Sequence, residues 1–469
     1  MTRDPLANMT LKKGDASSLY VALADHFEAL IESGELKAGR RLPTQRDVAQ
    51  RLKVNLTTVA RAFKVLSARG LIVSKAGSGS VVAAREPQSN EVAYSSSPVV
   101  GLLDLTVNRP TTHAFLEAVA ESTSIMAADA HFSLLEDYHP PEGAPWVRTT
   151  LARWLKEQKI LPDALADRLI VTSGAQHALD CILRSLCAPG DGIAADAITY
   201  QGIVGLCEVQ HLRLSGVAMD AGGMLPDALE AHCRKERPKA IIMVPTLHNP
   251  TAITLSSTRR QALAEVARRH DVPIIEDDVY RPLYDGNEPT LWSLAPERNY
   301  YIGGFSKCVA PGLRTGFIVA PPGKVPRVAA SLRIGIWCNS PLNMWLTAHL
   351  IETGQVNDIV EQQKQELRAR QKILIHALDG LNVSTHPTST HAWLTLTRDW
   401  EAARLVMALR RRGVAVLGSD LFVHDAKAQT PQAIRLNVGA PRSREDLARA
   451  LEIIVDTLQL GGSHTAGVF

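Results

Sequence analysis

Two things are scarce in these 469 residues: cysteine and sustained apolar sequence. No uninterrupted apolar run approaches the roughly 20 residues that cross a bilayer as a helix, so no membrane span is expected. The opening stretch, "MTRDPLANMTLKKGD", has neither the apolar core nor the small-residue cleavage site of a secretion signal, and a cytoplasmic chain is expected. The six cysteines, Cys181, Cys187, Cys207, Cys233, Cys308 and Cys338, form no C-x-x-C pair, and none lies in the first 180 residues. They read as reduced, mostly buried thiols, and no metal-ligand set is expected. Net charge is scarce too, at +3.

What is present is ordinary for a globular chain: 45% apolar residues and 21% charged ones. The length suggests two or three domains. Charge is unevenly spread. Residues 1–85 hold 14 Lys/Arg against 7 Asp/Glu, a net of +7, which leaves −4 for the rest of the +3 chain. A basic head on a mildly acidic body points to a polyanion at the head.

In the head, apolar residues from Leu19 to Ile31 recur at helical spacing, and Gly34, Gly39 and Pro43 follow as breakers. Thr44 with Asp47 three residues on is a capping-box pattern that opens the short helix of "RDVAQRL", ending near Lys53. "NLTTVARAFKVLSARG" reads as a longer helix with Val59, Phe63 and Leu66 on one stripe and Gly70 past its end. "LIVSKAGSGSVVAA" is two β-rich runs about a Gly/Ser turn, a hairpin placed to act as a wing. The order helix, helix, recognition helix, hairpin, with "LPTQRDVA" and "TTVARAFKVLSARGLI", resembles the winged helix-turn-helix of the GntR family. That resemblance implies contact with double-stranded operator DNA at Arg46, Thr57, Thr58 and Arg61 and at the wing tip, Gly77. Arginine suits guanine edges or phosphate, and threonine suits phosphate oxygens and thymine methyls. One winged helix covers one half-site, so a homodimer is expected. The Pro-, Ser- and Asn-rich segment 85–98 reads as a linker between a head over 1–84 and a body over 99–469.

In the body, buried-strand runs such as "RLIVTSG", "AIIMVP", "VPIIEDD" and "YYIGGFS" alternate with helical stretches such as "QHALDCILRSL" and "STRRQALAEVARRH". That alternation predicts an α/β fold with a mostly parallel sheet, which binds ligands at the carboxyl ends of its strands. The strand endings carry the chemistry. Gly174 and Ala175 open a helix with little side-chain bulk, an arrangement that suits a phosphate or simply close packing. Asn249 precedes a proline, where a turn residue is also common. Asp277 and Tyr280 follow a buried run, and a buried carboxylate requires a cation or several donors. Lys307 sits in "GGFSKCVAPGLRTG", with Arg314 seven positions later. Pyridoxal 5'-phosphate, with its phosphate, pyridinium nitrogen, phenolate oxygen and aldehyde, would engage all of these loops.

"SGAQHAL", "HNP", "EDDVY", "FSKCVAPGLRTG" and "IRLNVG" stand in the order and approximate spacing of the fold-type I aminotransferases, which residues 99–469 resemble; that fold adds a smaller α+β C-terminal subdomain. The resemblance implies that Lys307 forms the internal aldimine and that Asp277 pairs with the pyridinium nitrogen. It also implies Asn249 and Tyr280 on the phenolate oxygen, Arg314 with the amides of Gly174, Ala175 and Gln176 on the phosphate, and Tyr200 stacked on the ring. Tyr138 corresponds to a tyrosine that reaches the phosphate from a partner subunit, and Ser340 is a second candidate to cross over. Arg435 corresponds to the clamp on a substrate carboxylate, which a planar guanidinium fork grips bidentately. Two departures stand out: Gly304 lies where a hydroxyl often touches phosphate, and Asn108 and Arg109 lie where many relatives carry a glycine lining the pocket.

A GntR-type head on such a body resembles the MocR subfamily of transcription regulators. The resemblance implies a regulator that senses an amine or amino acid, or pyridoxal phosphate itself, through Lys307. A working aminotransferase with an appended DNA-binding domain is the alternative.

Overall fold

The computed structural model describes residues 39–68, 71–75, 79–82, 101–110, 113–163, 165–424 and 431–463, with positions 19–20, 23–24, 26–27, 30–31 and 36. The chain divides into two compact units, Met1–Tyr94 and Ser95–Phe469. Among the described residues no helix is long and apolar enough to cross a membrane.

In the first unit the described positions between 19 and 31 are helical. Helix Gln45–Leu52 starts on a capping box: Thr44 Oγ1 accepts the Asp47 N–H and Asp47 Oδ2 accepts the Thr44 N–H. Its end is set by Lys53 in the left-handed region. Helix Leu56–Ala68 turns Val59, Phe63 and Leu66 into a core shared with Leu23, Phe27 and Val48, and its opposite face is left to solvent. Strands β1 (Ile72–Lys75) and β2 (Gly79–Val82) pair antiparallel, and their buried ends, Ile72 and Val82, join that core. Each fully buried side chain of this kind adds about 1.5–3 kcal/mol.

The second unit is built on a seven-stranded sheet. Its strands are β3 (Leu169–Thr172), β4 (Gly192–Asp196), β5 (Arg213–Val217), β6 (Ala240–Met243), β7 (Ile274–Asp277), β8 (Asn299–Gly304) and β9 (Gly316–Val319). They lie in the order β3, β9, β8, β7, β6, β4, β5, and only β9 runs against its neighbours. The central strands are apolar without alternation because helices cover both faces, Ala175–Leu186 and Ser257–Arg269 among them. Glycine is required where backbones meet: a Cβ on Gly316 would stand 2.6 Å from the Gly174 carbonyl carbon.

A smaller antiparallel sheet follows the long helix Gln355–Ala377. It contains β10 (Val383–Ser384), β11 (His391–Thr395), β12 (Leu417–Gly418) and β13 (Ala433–Asn437), ordered β10, β11, β13, β12. The segment around Leu103–Asp104 pairs in parallel with Val414–Ala415, and the Leu105 carbonyl accepts the Asn437 N–H. This segment is thereby stitched at Leu105 to the smaller sheet, although it comes from the start of the unit.

Candidate functional site

Four strands, β3 on one side of β9 and β8, β7 and β6 on the other, deliver the site at their carboxyl ends. β3 ends in Ser173 and Gly174, where helix Ala175–Leu186 begins without a side-chain cap. β6 runs into the turn that holds Asn249, β7 ends at Asp277, and β8 runs into Lys307. Since β9 reverses direction beside β8, the chain returns past the same spot and leaves Arg314 there. Ala175, Gln176, Tyr200, Asn249, Asp277, Tyr280, Lys307 and Arg314 line one cavity of about 110 Å³. Gly174, at φ +88°, borders it: a Cβ there would meet the Arg314 guanidinium at 3.0 Å.

The charges in this cavity are poorly matched by the protein itself. Asp277 Oδ1 is buried without a hydrogen-bond partner. Burial pushes its carboxyl up to about 7, with Asp278 adding to the rise and Lys307 opposing it. Burial, and then Arg435, holds the Lys307 amine down to about 8 against the pull of Asp277. Lys307 Nζ donates to the Asn108 carbonyl at 2.7 Å. Arg314 Nη2 donates to the Ser173 carbonyl at 3.0 Å, at the bare start of the helix. Its neighbour in the site, Tyr280, is buried and held above its ordinary range.

Arg435, only 2% exposed, lies deeper. Its Nη1 donates to Asn249 Oδ1 at 2.9 Å and its Nη2 to the Thr106 carbonyl. The Phe422 ring lies 5.1 Å away. Its Nε has no partner, and among the described residues no carboxylate is within ion-pair distance. A buried cation without a counter-ion is a receptor for an anion.

Other predicted positions lie apart. Tyr138 is 77% exposed, edge-on to Trp337 at 6.1 Å between ring centres, and does not line the cavity of its own chain. Ser340 caps helix Pro341–Glu352 by accepting the Asn343 N–H at 3.4 Å. Gly304 lines the cavity. Arg109 is directed to the Ala440 carbonyl, 3.3 Å from its Nη2. Asn108 reaches the site, where it bonds Tyr280 as well as Lys307. Ser306, beside Lys307, also lines the cavity and was open to recognition from adjacency alone. Thr390 and His391 approach from β11, and no spacing in the chain announces them.

In the first unit Arg46, Thr57 and Arg61 are exposed and Thr58 is half-buried; Arg46, Thr57 and Thr58 lie in the first turns of the two helices and Arg61 in the second turn of the longer one. Asn55 Oδ1 accepts the Thr57 N–H at 3.1 Å and so fixes the start of the second of them. Gly77 lies outside the described residues.

Comparison with known proteins agrees with both halves. The description "Aminotransferase class I and II" matches residues 100–454, and "Bacterial regulatory proteins, gntR family" matches residues 19–82. A Bacillus subtilis chain named the uncharacterized HTH-type transcriptional regulator YdeF is 28% identical, over 93% of each chain. The vitamin B6 salvage pathway transcriptional repressor PtsJ of Salmonella typhimurium is 26% identical, over 84% of this chain and 88% of its own. Among solved structures, an archaeal alanine:glyoxylate aminotransferase superposes with a TM-score of 0.71 at 24% identity, covering 77% of this chain and 92% of its own.

Proposed function

Because the chain belongs to the aminotransferase class I and II family and carries a gntR-family segment ahead of it, we propose that it is a DNA-binding transcription regulator of the MocR type whose larger unit holds pyridoxal 5'-phosphate and an amine or amino acid. The family is pyridoxal phosphate-dependent, and the residues present fit that group. The single observation that carries the reading is a cavity lined by Lys307 and by Asp277, whose Oδ1 is buried without a hydrogen-bond partner, with the buried Arg435 bonded to the lining residue Asn249 and, among the described residues, in no ion pair. Such groups are unfavourable in an interior unless a ligand meets them.

Asp277, with its orphaned oxygen, would hold the protonated ring nitrogen, and the bare helix start at Ala175 with Arg314 would hold the phosphate. Tyr200 would cover the ring, and Asn249 and Tyr280 would bind its oxygen. When bound, the cofactor supplies an aldehyde that joins amines covalently and an electron-withdrawing ring. Lys307 is suited to meet that aldehyde because its amine, at about 8 in place of the ordinary 10.5, is partly neutral near pH 7. Arg435 would take a carboxylate, which favours an amino acid over a simple amine. Arg46, Thr57, Thr58 and Arg61 would meet DNA, with two copies needed for two half-sites. Exposed Tyr138 would serve a partner's cavity.

The test is to load the purified chain with pyridoxal phosphate, titrate amines and amino acids, and follow visible absorbance together with affinity for operator DNA. A band that shifts with one ligand class, accompanied by changed DNA affinity, is the expected result. A chain that stays colourless in excess pyridoxal phosphate would end the proposal. The complete residue set also fits turnover, so sustained multiple turnovers with an amino donor and a keto acid would favour the aminotransferase reading.

A further inference from the structure

Asn108 stands at the centre of a hydrogen-bond network whose direction can be worked out from one fixed end. That end is the His248 backbone carbonyl, which can only accept. It lies 3.0 Å from His391 Nε2, so His391 carries its proton on Nε2 and presents a bare Nδ1. His391 is fully buried and stays neutral, its pKa pushed down to about 3 by burial, so this arrangement holds at ordinary pH. The bare Nδ1 faces Asn108 Nδ2 at 3.2 Å and accepts one of its two N–H groups. With the amide turned that way by His391, Thr390 Oγ1 donates to Asn108 Oδ1 at 2.7 Å. The second Nδ2 hydrogen is therefore given to the Tyr280 oxygen, at 2.8 Å. With its oxygen receiving that bond, Tyr280 has its own hydroxyl proton left to give. The Asn108 backbone carbonyl meanwhile holds Lys307 Nζ.

We propose that Asn108 is a positioning residue, oriented by Thr390 and His391, that commits the Tyr280 hydroxyl to donate its proton to the ligand oxygen beside Lys307. The inference rests on the pyridoxal phosphate reading above. A side chain is required for it, so a glycine at this position would remove this donor and leave Asn249 as the other side chain bonded to Tyr280. Because Leu105 bonds Asn437 of the smaller sheet and Asn108 itself bonds His391 of that sheet, the same contact lets the sheet act on both Tyr280 and Lys307. The other ionisable groups that face this pair are Asp277, Tyr200, Arg314, Arg435 and the neutral His391.

The experiment is a pH titration of the visible absorbance of the pyridoxal phosphate-loaded, full-length protein. A proton donated to the ligand oxygen stabilises negative charge there and so lowers the pH at which the Lys307 nitrogen gains its proton. Asn108→Ala weakens that donation, since an oxygen that receives a hydrogen bond is a stronger donor. The midpoint should rise by roughly half a unit to one unit, about the worth of one hydrogen bond. Tyr280→Phe should raise it further, and Asn108→Ala should then add nothing to Tyr280→Phe. Asn108→Asp, isosteric but without the N–H, serves if the alanine variant does not fold; it should raise the midpoint more, because a carboxylate would take the Tyr280 proton for itself.

An unchanged midpoint in both Asn108 variants, or a shift that persists undiminished in the Tyr280→Phe background, overturns the inference while leaving the cofactor site standing. A wild-type chain without any visible band overturns the site and the inference together.

Discussion

The two units put the side chains proposed to do their work in opposite settings. In the DNA-binding unit Arg46, Thr57 and Arg61 are exposed on helices whose stability comes from a separate core of Phe27, Val59, Phe63 and Leu66. In the larger unit Asp277 and Arg435 are buried and Lys307 is half-buried, and among the described residues none of the three makes an ion pair within the protein. Recognition at a surface leaves the fold nearly indifferent to the recognising residues. Recognition inside a cavity places the fold's electrostatics and the ligand's in one balance, so binding and stability must move together there.

The largest effect that sharpens this contrast is all-or-none. Lys307→Ala should abolish the visible band of the loaded protein and any response of DNA binding to amines, as read by absorbance and a titrated binding assay. An undiminished response would break the proposed link between cavity and DNA.

Next in size, Arg61→Ala should weaken operator binding by about tenfold or more, the loss of one good base or phosphate contact being worth roughly 1–3 kcal/mol. The absorbance and melting temperature should stay as in the wild type, since the side chain is exposed. A drop in melting temperature of several degrees would show that the head does not separate recognition from folding.

The smallest effect is also the most diagnostic. With its folded pKa raised to about 7 from 3.8, Asp277 holds a proton in the folded apo-protein that the unfolded chain has released. Its contribution is therefore most favourable below about pH 4 and is lost as pH rises toward 7. Asp277→Asn should accordingly raise the apo-protein's melting temperature by a few degrees at pH 7 to 8, with little change near pH 4, while sharply reducing pyridoxal phosphate retention. Equal melting curves at both pH values would remove the claim that this carboxylate is held at a stability cost.

How much of this was legible in the chain also differs between the units. Thr44 with Asp47, and the stripe of Val59, Phe63 and Leu66, are local patterns, and the structure realises them as a cap and a core face. Strand endings were legible because buried runs stop at Gly174, Asp277 and Lys307, and a mostly parallel sheet gathers such endings together. Asn108 could be marked as unusual, yet its task was hidden, because its partners Tyr280, Lys307 and Thr390 come from segments 172 to 282 residues away. His391 was invisible for the same reason: its role depends on a backbone carbonyl in another loop, and backbone carries no sequence signature. The roles of Tyr138 and Ser340 would involve a second copy, and a single chain shows only an exposed ring and a helix cap.

The reversed strand has one more consequence. Because β9 runs back along β8 with Gly304 opposite Gly316, the chain leaves the sheet and rejoins it at facing positions. Lys307 and Arg314 both sit on that single excursion, so two of the charged groups that line the cavity are tethered by one short loop of set span. The number of residues in the excursion is then a molecular ruler, and adding or removing one would detune the grip even if every side chain kept its identity.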